Sequence, residues 1–211
     1  HSKINDLLIN YGDENVFPGD NTEKIMNFLG KNKFWSFIID EKYSGTNLSV
    51  QEMSSVLTRI TSGSPSLGVI TMVPNSLGPG ELLLHYGTEE QKNKYLPGLS
   101  NGDYIPCFGL TGPNNGSDAT GKIDTGIVKK KDGKIIIEIN INKRYITLAP
   151  ISNLIGLAFK LEDPDNILKS KKTGITLALI ENTHPGLIKE TYHNPLNAGF
   201  PNGTLKGKFN I

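Results

Sequence analysis

From the amino terminus to about residue 100, apolar residues recur at the spacing of a helix. Ile25, Phe28 and Leu29 make one i, i+3, i+4 stripe, and Met53, Val56, Leu57 and Ile60 make a second. Each stripe predicts a helix with one face turned to a core. Gly30 stands where a left-handed cap closes the earlier helix. Thr88 and Gln91 form a capping box that opens a helix through Tyr95, with Pro97 and Gly98 as its stop. Trp35, Phe37 and Ile39 lie two apart in FWSFIID, which predicts a short extended link packed into the core. His85, within LLLHYG, reads as a packed helix residue.

Beyond residue 100 the period changes to two. Ile135, Ile137, Ile139 and Ile141 alternate with Ile136, Glu138, Asn140 and Asn142, the mark of a strand with one buried face. Asp132 and Gly133 before it form a hairpin turn, and Gly126 to Lys131 supply the partner strand. Leu154 to Leu161 and Gly174 to Glu181 are two further strands, divided by a polar loop from Glu162 to Lys172. The prediction is an α+β chain: a helical N-terminal domain over residues 1–101, then an all-β module over 102–211. Short strands punctuated by Gly and Pro make that module a small barrel or a sandwich.

Composition narrows the function classes. The 211 residues are 36% hydrophobic and 20% charged, ordinary for a globular protein, and 22 basic against 21 acidic residues leave a net charge of +1. No global field invites nucleic acid or an anionic membrane. Lys129, Lys130 and Lys131 read as a solvated strand end. The single cysteine, Cys107, rules out an internal disulfide and sits in an apolar strand, so it reads as a buried, inert thiol. No apolar run approaches the ~20 residues of a membrane-spanning helix, and no signal-peptide core is visible. His1, His85, His184 and His193 are scattered, with no metal-ligand spacing. The chain starts without methionine and ends on a strand-like KGKFNI, so it is expected to be an excerpt of something longer.

Two short segments hold the candidate chemistry. In PCFGLTGPNNGSDA (Pro106 to Ala119) an apolar strand runs into a turn of small residues. Gly109, Gly112 and Gly116 allow close backbone approach, while Thr111, Asn114, Asn115, Ser117 and Asp118 bring short donors and acceptors. Asp118 reads as a loop acid that accepts backbone N–H bonds rather than as a catalytic carboxylate. In KRYITLAP (Lys143 to Pro150), Tyr145 and Thr147 end a strand with a flat ring and a hydroxyl, the equipment that holds a planar heterocycle. Neither the Walker spacing nor the dinucleotide GxGxxG spacing is present.

These blocks, with VPNSLGPGELLLHYGTEEQKNKYLP, LIGLAFKLEDP, GITLALI and PLN in the same order, resemble the acyl-CoA dehydrogenases over nearly the whole chain, and within them the large bacterial fatty-acyl-CoA dehydrogenases. The resemblance implies a middle domain that is a β-barrel packed between helical layers, a C-terminal helical domain absent from these residues, and FAD as cofactor. It assigns flavin binding to Phe108, Leu110, Thr111, Gly116, Ser117, Tyr145, Ile146 and Thr147, with the Thr111 hydroxyl at the pyrimidine edge and Thr147 at flavin N5. Ser117 also reaches the acyl-CoA substrate near its thioester. Tyr145 stands where the family usually has tryptophan, and Gly112 where many members have an acid.

The implied reaction is oxidation of a saturated fatty acyl-CoA to the trans-2-enoyl-CoA, the first step of fatty acid β-oxidation. A base takes the α-proton and the β-hydrogen leaves as hydride to the flavin. Electrons then pass to electron-transferring flavoprotein or a similar acceptor. Glu41, Glu81, Glu89, Glu90, Glu162, Glu181 and Glu190 read as surface or helix-end charges, and the catalytic glutamate is expected beyond Ile211. The family also implies a homo-oligomer in the full-length protein and a cytoplasmic bacterial address, with peripheral contact to the inner membrane as an extension. Two alternatives stay open: an acyl-CoA oxidase that passes electrons to oxygen, and a non-catalytic module retaining the fold.

Overall fold

The computed structural model describes residues 2–12, 16–76, 78–169, 173–190, 192–197 and 199–211. Helices α1 (Ser2–Tyr11), α2 (Thr22–Lys31), α3 (Val50–Gly63), α4 (Pro65–Met72), α5 (Pro79–Tyr86) and α6 (Glu89–Asn101) come first. Strands β1 (Pro106–Gly109), β2 (Thr125–Lys131), β3 (Lys134–Thr147), β4 (Leu154–Glu162), β5 (Ile175–Glu181) and β6 (Asn202–Asn210) follow. The predicted order of helices before strands therefore holds. Residues 170–172 of the predicted polar loop lie outside the described residues.

Both stripes lie on helices, with different depth. Ile25 and Leu29 of α2 are fully buried, whereas only Ile60 of the α3 stripe is, and Met53, Val56 and Leu57 are half-buried. The helix starts are chemically specified. Thr88 and Gln91 cap α6 reciprocally, Gln91 N–H donating to Thr88 Oγ1 (3.2 Å) and Thr88 N–H to Gln91 Oε1 (3.0 Å). Ser49 and Glu52 do the same for α3, an S-x-x-E signature that the sequence analysis passed over.

Four expectations need correction. The first concerns α6, which runs through Pro97 to Asn101 rather than stopping there. An interior proline costs about 3 kcal/mol, and burying Leu96 and Leu99 offsets that at roughly 1.5–3 kcal/mol each. Second, Gly30 lies inside α2, and Lys33 (φ 67°) takes the left-handed position after it. Lys33 N–H bonds to Gly30 O and Phe34 N–H to Leu29 O, the paired bonds of a Schellman close. Gly30 serves packing instead: a Cβ on Gly102 (φ 83°) would come within 2.5 Å of the Gly30 Cα. Third, the FWSFIID link bends through turns rather than running extended, although Trp35, Phe37 and Ile39 are buried as expected. Buried Asn75 holds those bends, accepting from Phe37 N–H (2.8 Å) and donating to Phe34 O (2.7 Å) and Thr71 O (2.8 Å). The Trp35 indole donates to Ile70 O at 3.0 Å. Fourth, His85 is exposed, because α5 buries Leu83 on the opposite face.

The strands form one nearly closed sheet. β4 pairs in parallel with β1 through residues 154–157 and with β2 through residues 160–162, and antiparallel with β5 on its other edge. β2 and β3 make the predicted hairpin, turning on Asp132 (φ 49°) and Gly133 (φ 77°), and β6 pairs with β3. The chain after β5 returns to the free edge of β6 through bridges at Ile188↔Lys206 and Tyr192↔Gly203, which takes the sheet towards a barrel. One hydrophobic cluster runs from Ile25, Leu29, Trp35 and Ile70 of the helical layer into Ile139, Leu157, Phe159 and Leu205 of the sheet. Among the described residues no helix is long and apolar enough to cross a membrane.

Cys107 of β1 is 1% exposed, and burial pushes its thiol up to about 12. Iodoacetamide at pH 8 is expected to leave it unmodified in the folded protein and to label it in urea; rapid labelling of the native state would contradict this burial. Gly102→Ala combines left-handed strain with a backbone clash against Gly30. It should lower stability by roughly 2 kcal/mol or more in urea unfolding, and an unchanged midpoint would show that α2 and α6 do not touch there.

Candidate flavin site

β1 delivers the glycine-rich turn to the side of β3. Phe108 is half-buried, in contact range of β4 and α5: a Cβ at Gly156 would lie 3.2 Å from its ring and 3.1 Å from Pro79. At the next turn the chain is clamped. Leu110 O accepts from Lys143 Nζ (3.0 Å) and from Asn115 Nδ2 (2.9 Å), and Thr111 O accepts from Arg144 N–H (2.9 Å). Asn115, 3% exposed, also donates to Ala119 O at 3.0 Å, so one amide closes both ends of the bend. Gly116, Ser117 and Asp118 beyond it are exposed, and a Cβ on Gly116 would meet open space. This is a fixed rim with an open side.

β3 supplies the second half by breaking its own alternation. Ile139, Ile141 and Lys143 point inward, and then the pairing with β6 shifts register between Lys143 and Ile146. A bulge of this kind inserts an extra residue and re-aims its neighbours. Arg144 and Tyr145 are consecutively exposed, and Tyr145 has φ 59°. The Tyr145 ring lies 4.6 Å from that of His193, with the Arg144 guanidinium 4.7 Å away on the ring and donating to its hydroxyl at 2.9 Å. Thr147 is half-buried and faces Asn202 across the ladder, its hydroxyl accepting from Asn202 Nδ2 at 3.3 Å.

The Thr111–Arg144 bond therefore brings the two predicted blocks together. Leu110, Thr111 and Thr147 are half-buried and Tyr145 is exposed at this junction, Gly116 and Ser117 lie on its open side, and Phe108, half-buried, packs away from it against Pro79 and Gly156. Ile146 is different: at 3% exposure its side chain belongs to the core, which leaves its main chain for any ligand. Of the five buried side-chain polar atoms without a partner among the described residues, three lie here, His193 Nε2, Asn202 Oδ1 and Thr204 Oγ1, and two, Thr71 Oγ1 and Ser100 Oγ, lie in the helical layer. Asn202 pairs with Thr147, Thr204 follows two residues along the same face of β6, and His193 N–H bonds to Asn202 O. Unsatisfied buried groups are rare in native proteins and cluster where a ligand completes them. Burial, with the Arg144 charge adding to it, lowers the pKa of His193 and favours its neutral ring. A flat, polar heterocycle fits this combination of exposed ring, hydroxyl and unfilled hydrogen-bond capacity.

Sequence reasoning named Asn115 among the rim's donors and missed Lys143, Asp124 and Asn202 as parts of the site. Lys143 had a signal: it falls on the inward phase of Ile139 and Ile141, where a charge is out of place. Asn202 had none.

The N-terminal domain of acyl-CoA dehydrogenases matches residues 3–103, and the middle domain of the same proteins matches residues 107–205. The chain belongs to the acyl-CoA dehydrogenase family. An acyl-CoA dehydrogenase of Bacillus subtilis is 34% identical over 75% of this chain and 39% of its own length. A 3-(aryl)acrylate reductase of Clostridium sporogenes is 29% identical over 89% of this chain and 49% of its own. The chain thus spans less than half of either relative. The solved structure of an acyl-CoA dehydrogenase from Bacillus anthracis in complex with FAD shares the fold, with a TM-score of 0.74 at 19% identity over 99% of this chain and 34% of that one. As in the rest of the family, the fold here is a helical domain followed by a barrel-like middle domain.

Asn115→Ala removes two hydrogen bonds at a buried site. It is expected to lower stability by about 1–3 kcal/mol in urea unfolding, while a loss within error would mean that the bend holds itself.

Proposed function

We propose that residues 2–211 form the cofactor-holding half of an FAD-dependent enzyme that oxidises a saturated fatty acyl-CoA to its trans-2-enoyl form. One observation carries the reading most: Asn202, whose amide oxygen has no partner, bonds the threonine that the family likeness sets at the reacting flavin nitrogen, and the unpartnered atoms of His193 and Thr204 belong to residues next to it in the structure. FAD, when bound, supplies the two-electron acceptor for this chemistry. The chain's own residues do the rest. The clamped peptide at Leu110–Thr111 presents backbone donors to the electron-rich edge of the ring. Thr147 and Asn202 offer a hydroxyl and an amide on the same side, and Tyr145 lays a ring over the bulge. Ser117, on the open side of the rim, is placed to meet both the acyl-CoA and the cofactor. Positioning of this sort can remove several kcal/mol from a barrier.

Among the described residues, none of the glutamates considered for the α-proton is built as its base. The glutamates considered for that role are exposed or half-exposed, and those with recorded partners bond elsewhere: Glu89 with Lys92, Glu162 with Lys160, Glu181 with Lys94 and Glu190 with Lys206. The reading therefore takes the base from another part of the complete protein, and the domain limits at residue 101, the likeness to the large bacterial subgroup, an electron-transferring flavoprotein as acceptor and a cytoplasmic address go with it. Peripheral contact with the inner membrane is not borne out.

The test is direct. The complete protein should purify yellow, bleach anaerobically when given a saturated acyl-CoA, and release the enoyl product, whereas residues 1–211 alone should yield none. A colourless protein that takes up no FAD overturns the reading in favour of a non-catalytic module. Hydrogen peroxide in step with product, without any carrier, assigns it to the oxidase class.

A further inference from the structure

Lys143 is the one charged side chain that is fully buried among the described residues. Its Nζ lies 3.0 Å from Asp124 Oδ2 and 3.0 Å from the carbonyl oxygen of Leu110. Asp124 in turn accepts the Asn142 N–H at 3.2 Å, so the carboxylate is tied to β3 and keeps only a fifth of its surface in water. Burial pulls the lysine's pKa down and Asp124 pushes it back, a balance that a folded core does not need. Replacing a buried ion pair by apolar side chains is often neutral or stabilising, so the charge asks for a reason beyond packing.

The bond to Leu110 supplies that reason. The Leu110 carbonyl and the Thr111 N–H belong to one planar peptide group. A cation on the oxygen fixes the plane and draws electron density from the nitrogen, which makes the N–H a better donor. Thr111 O is held separately by Arg144 N–H, so the next peptide is fixed as well. Among the described residues nothing accepts from the Thr111 N–H itself, and that donor is left pointing outside the clamp's own bonds.

We infer that Lys143 is a positioning residue that orients and polarises the Leu110–Thr111 peptide so that the Thr111 N–H donates to the pyrimidine edge of a bound isoalloxazine. This rests on the FAD reading given above. A donor strengthened in this way favours the reduced ring, whose pyrimidine edge holds more negative charge, over the oxidised ring. Lys143 thus contributes both affinity and a higher midpoint potential, while Asp124 moderates the second.

Lys143→Met keeps the length of the side chain and removes its charge. In the complete protein this variant is expected to fold but to unfold at a lower denaturant concentration than wild type, because Asp124 and the Leu110 carbonyl lose their cation, and to bind FAD roughly tenfold or more weakly. Its bound flavin should have a lower midpoint potential and a shifted visible absorption band. Asp124→Asn keeps the ammonium and removes its counter-charge, and should move the potential upward. The opposite signs separate positioning from general loosening, which would not distinguish the two variants. Folded Lys143→Met with wild-type affinity and potential overturns the inference, and should that variant not fold, an unchanged or lower potential in Asp124→Asn does the same. A wild-type protein that binds no FAD fails the functional reading first, and is told apart by the missing flavin spectrum.

Discussion

β3 answers to two demands that a regular strand cannot meet together. Its first ten residues alternate so that Ile139 and Ile141 enter the core, while its end turns an aromatic ring out to the surface and leaves a hydroxyl half-buried. A strict period of two would send Tyr145 inward along with Lys143, and would leave Ile146 in water. The bulge between Lys143 and Ile146 resolves the conflict by one residue: Tyr145 comes out at φ 59°, and Ile146 returns to the core. The loop from β1 leans on that same irregularity, since the Arg144 N–H released from the ladder is the donor that holds Thr111 O. Rim and strand end are therefore one device.

The helical layer gives the device a floor. Trp35 and Ile70 join the same cluster as Leu157 and Phe159, so helices and sheet cannot slide past each other without opening a shared core. A second cluster adds Ile39, Leu83, Leu96 and Leu99 against Leu154, beside the point where β1 enters the sheet. β1 is short and parallel to β4, and its direction is fixed by what packs on either side of it: Cys107 towards the core and Phe108 towards Gly156 and α5. The glycine-rich turn inherits that direction.

Periodicity made most of the architecture legible. Buried isoleucines on alternate positions marked β3, the DG pair marked its hairpin, and Thr88 with Gln91 marked the start of α6. Where local signals misled, tertiary contact had won: burial of Leu96 and Leu99 carried α6 across Pro97, and the approach of Gly102 claimed Gly30 for packing. The loop and strand segments of the site were visible as motifs because they are short and unusual in composition. The residues that organise them were not. Asn202 lies 55 residues from the Thr147 it bonds, and Lys143 is 33 residues from the carbonyl it holds, and no window of local sequence contains either pair.

The cradle also holds most of the unpartnered buried polar atoms among the described residues. A buried polar atom without a partner costs about 1–3 kcal/mol, and three of the five such atoms among the described residues belong to His193, Asn202 and Thr204 beside the end of β3, the other two being Thr71 Oγ1 and Ser100 Oγ of the helical layer. Strain and unfilled hydrogen bonds persist only where surrounding structure over-determines them. Here the over-determination is visible: Asn115, Arg144 and Lys143 hold the loop from three directions before any ligand arrives. A site held open in this way gives up little conformational freedom on binding, so the free energy recovered by satisfying those atoms goes into affinity rather than into ordering the rim. On the flavin reading proposed above, the polar cost of the cradle and its readiness for a planar cofactor are the same property, and the apolar core beneath it is what allows the fold to tolerate that cost.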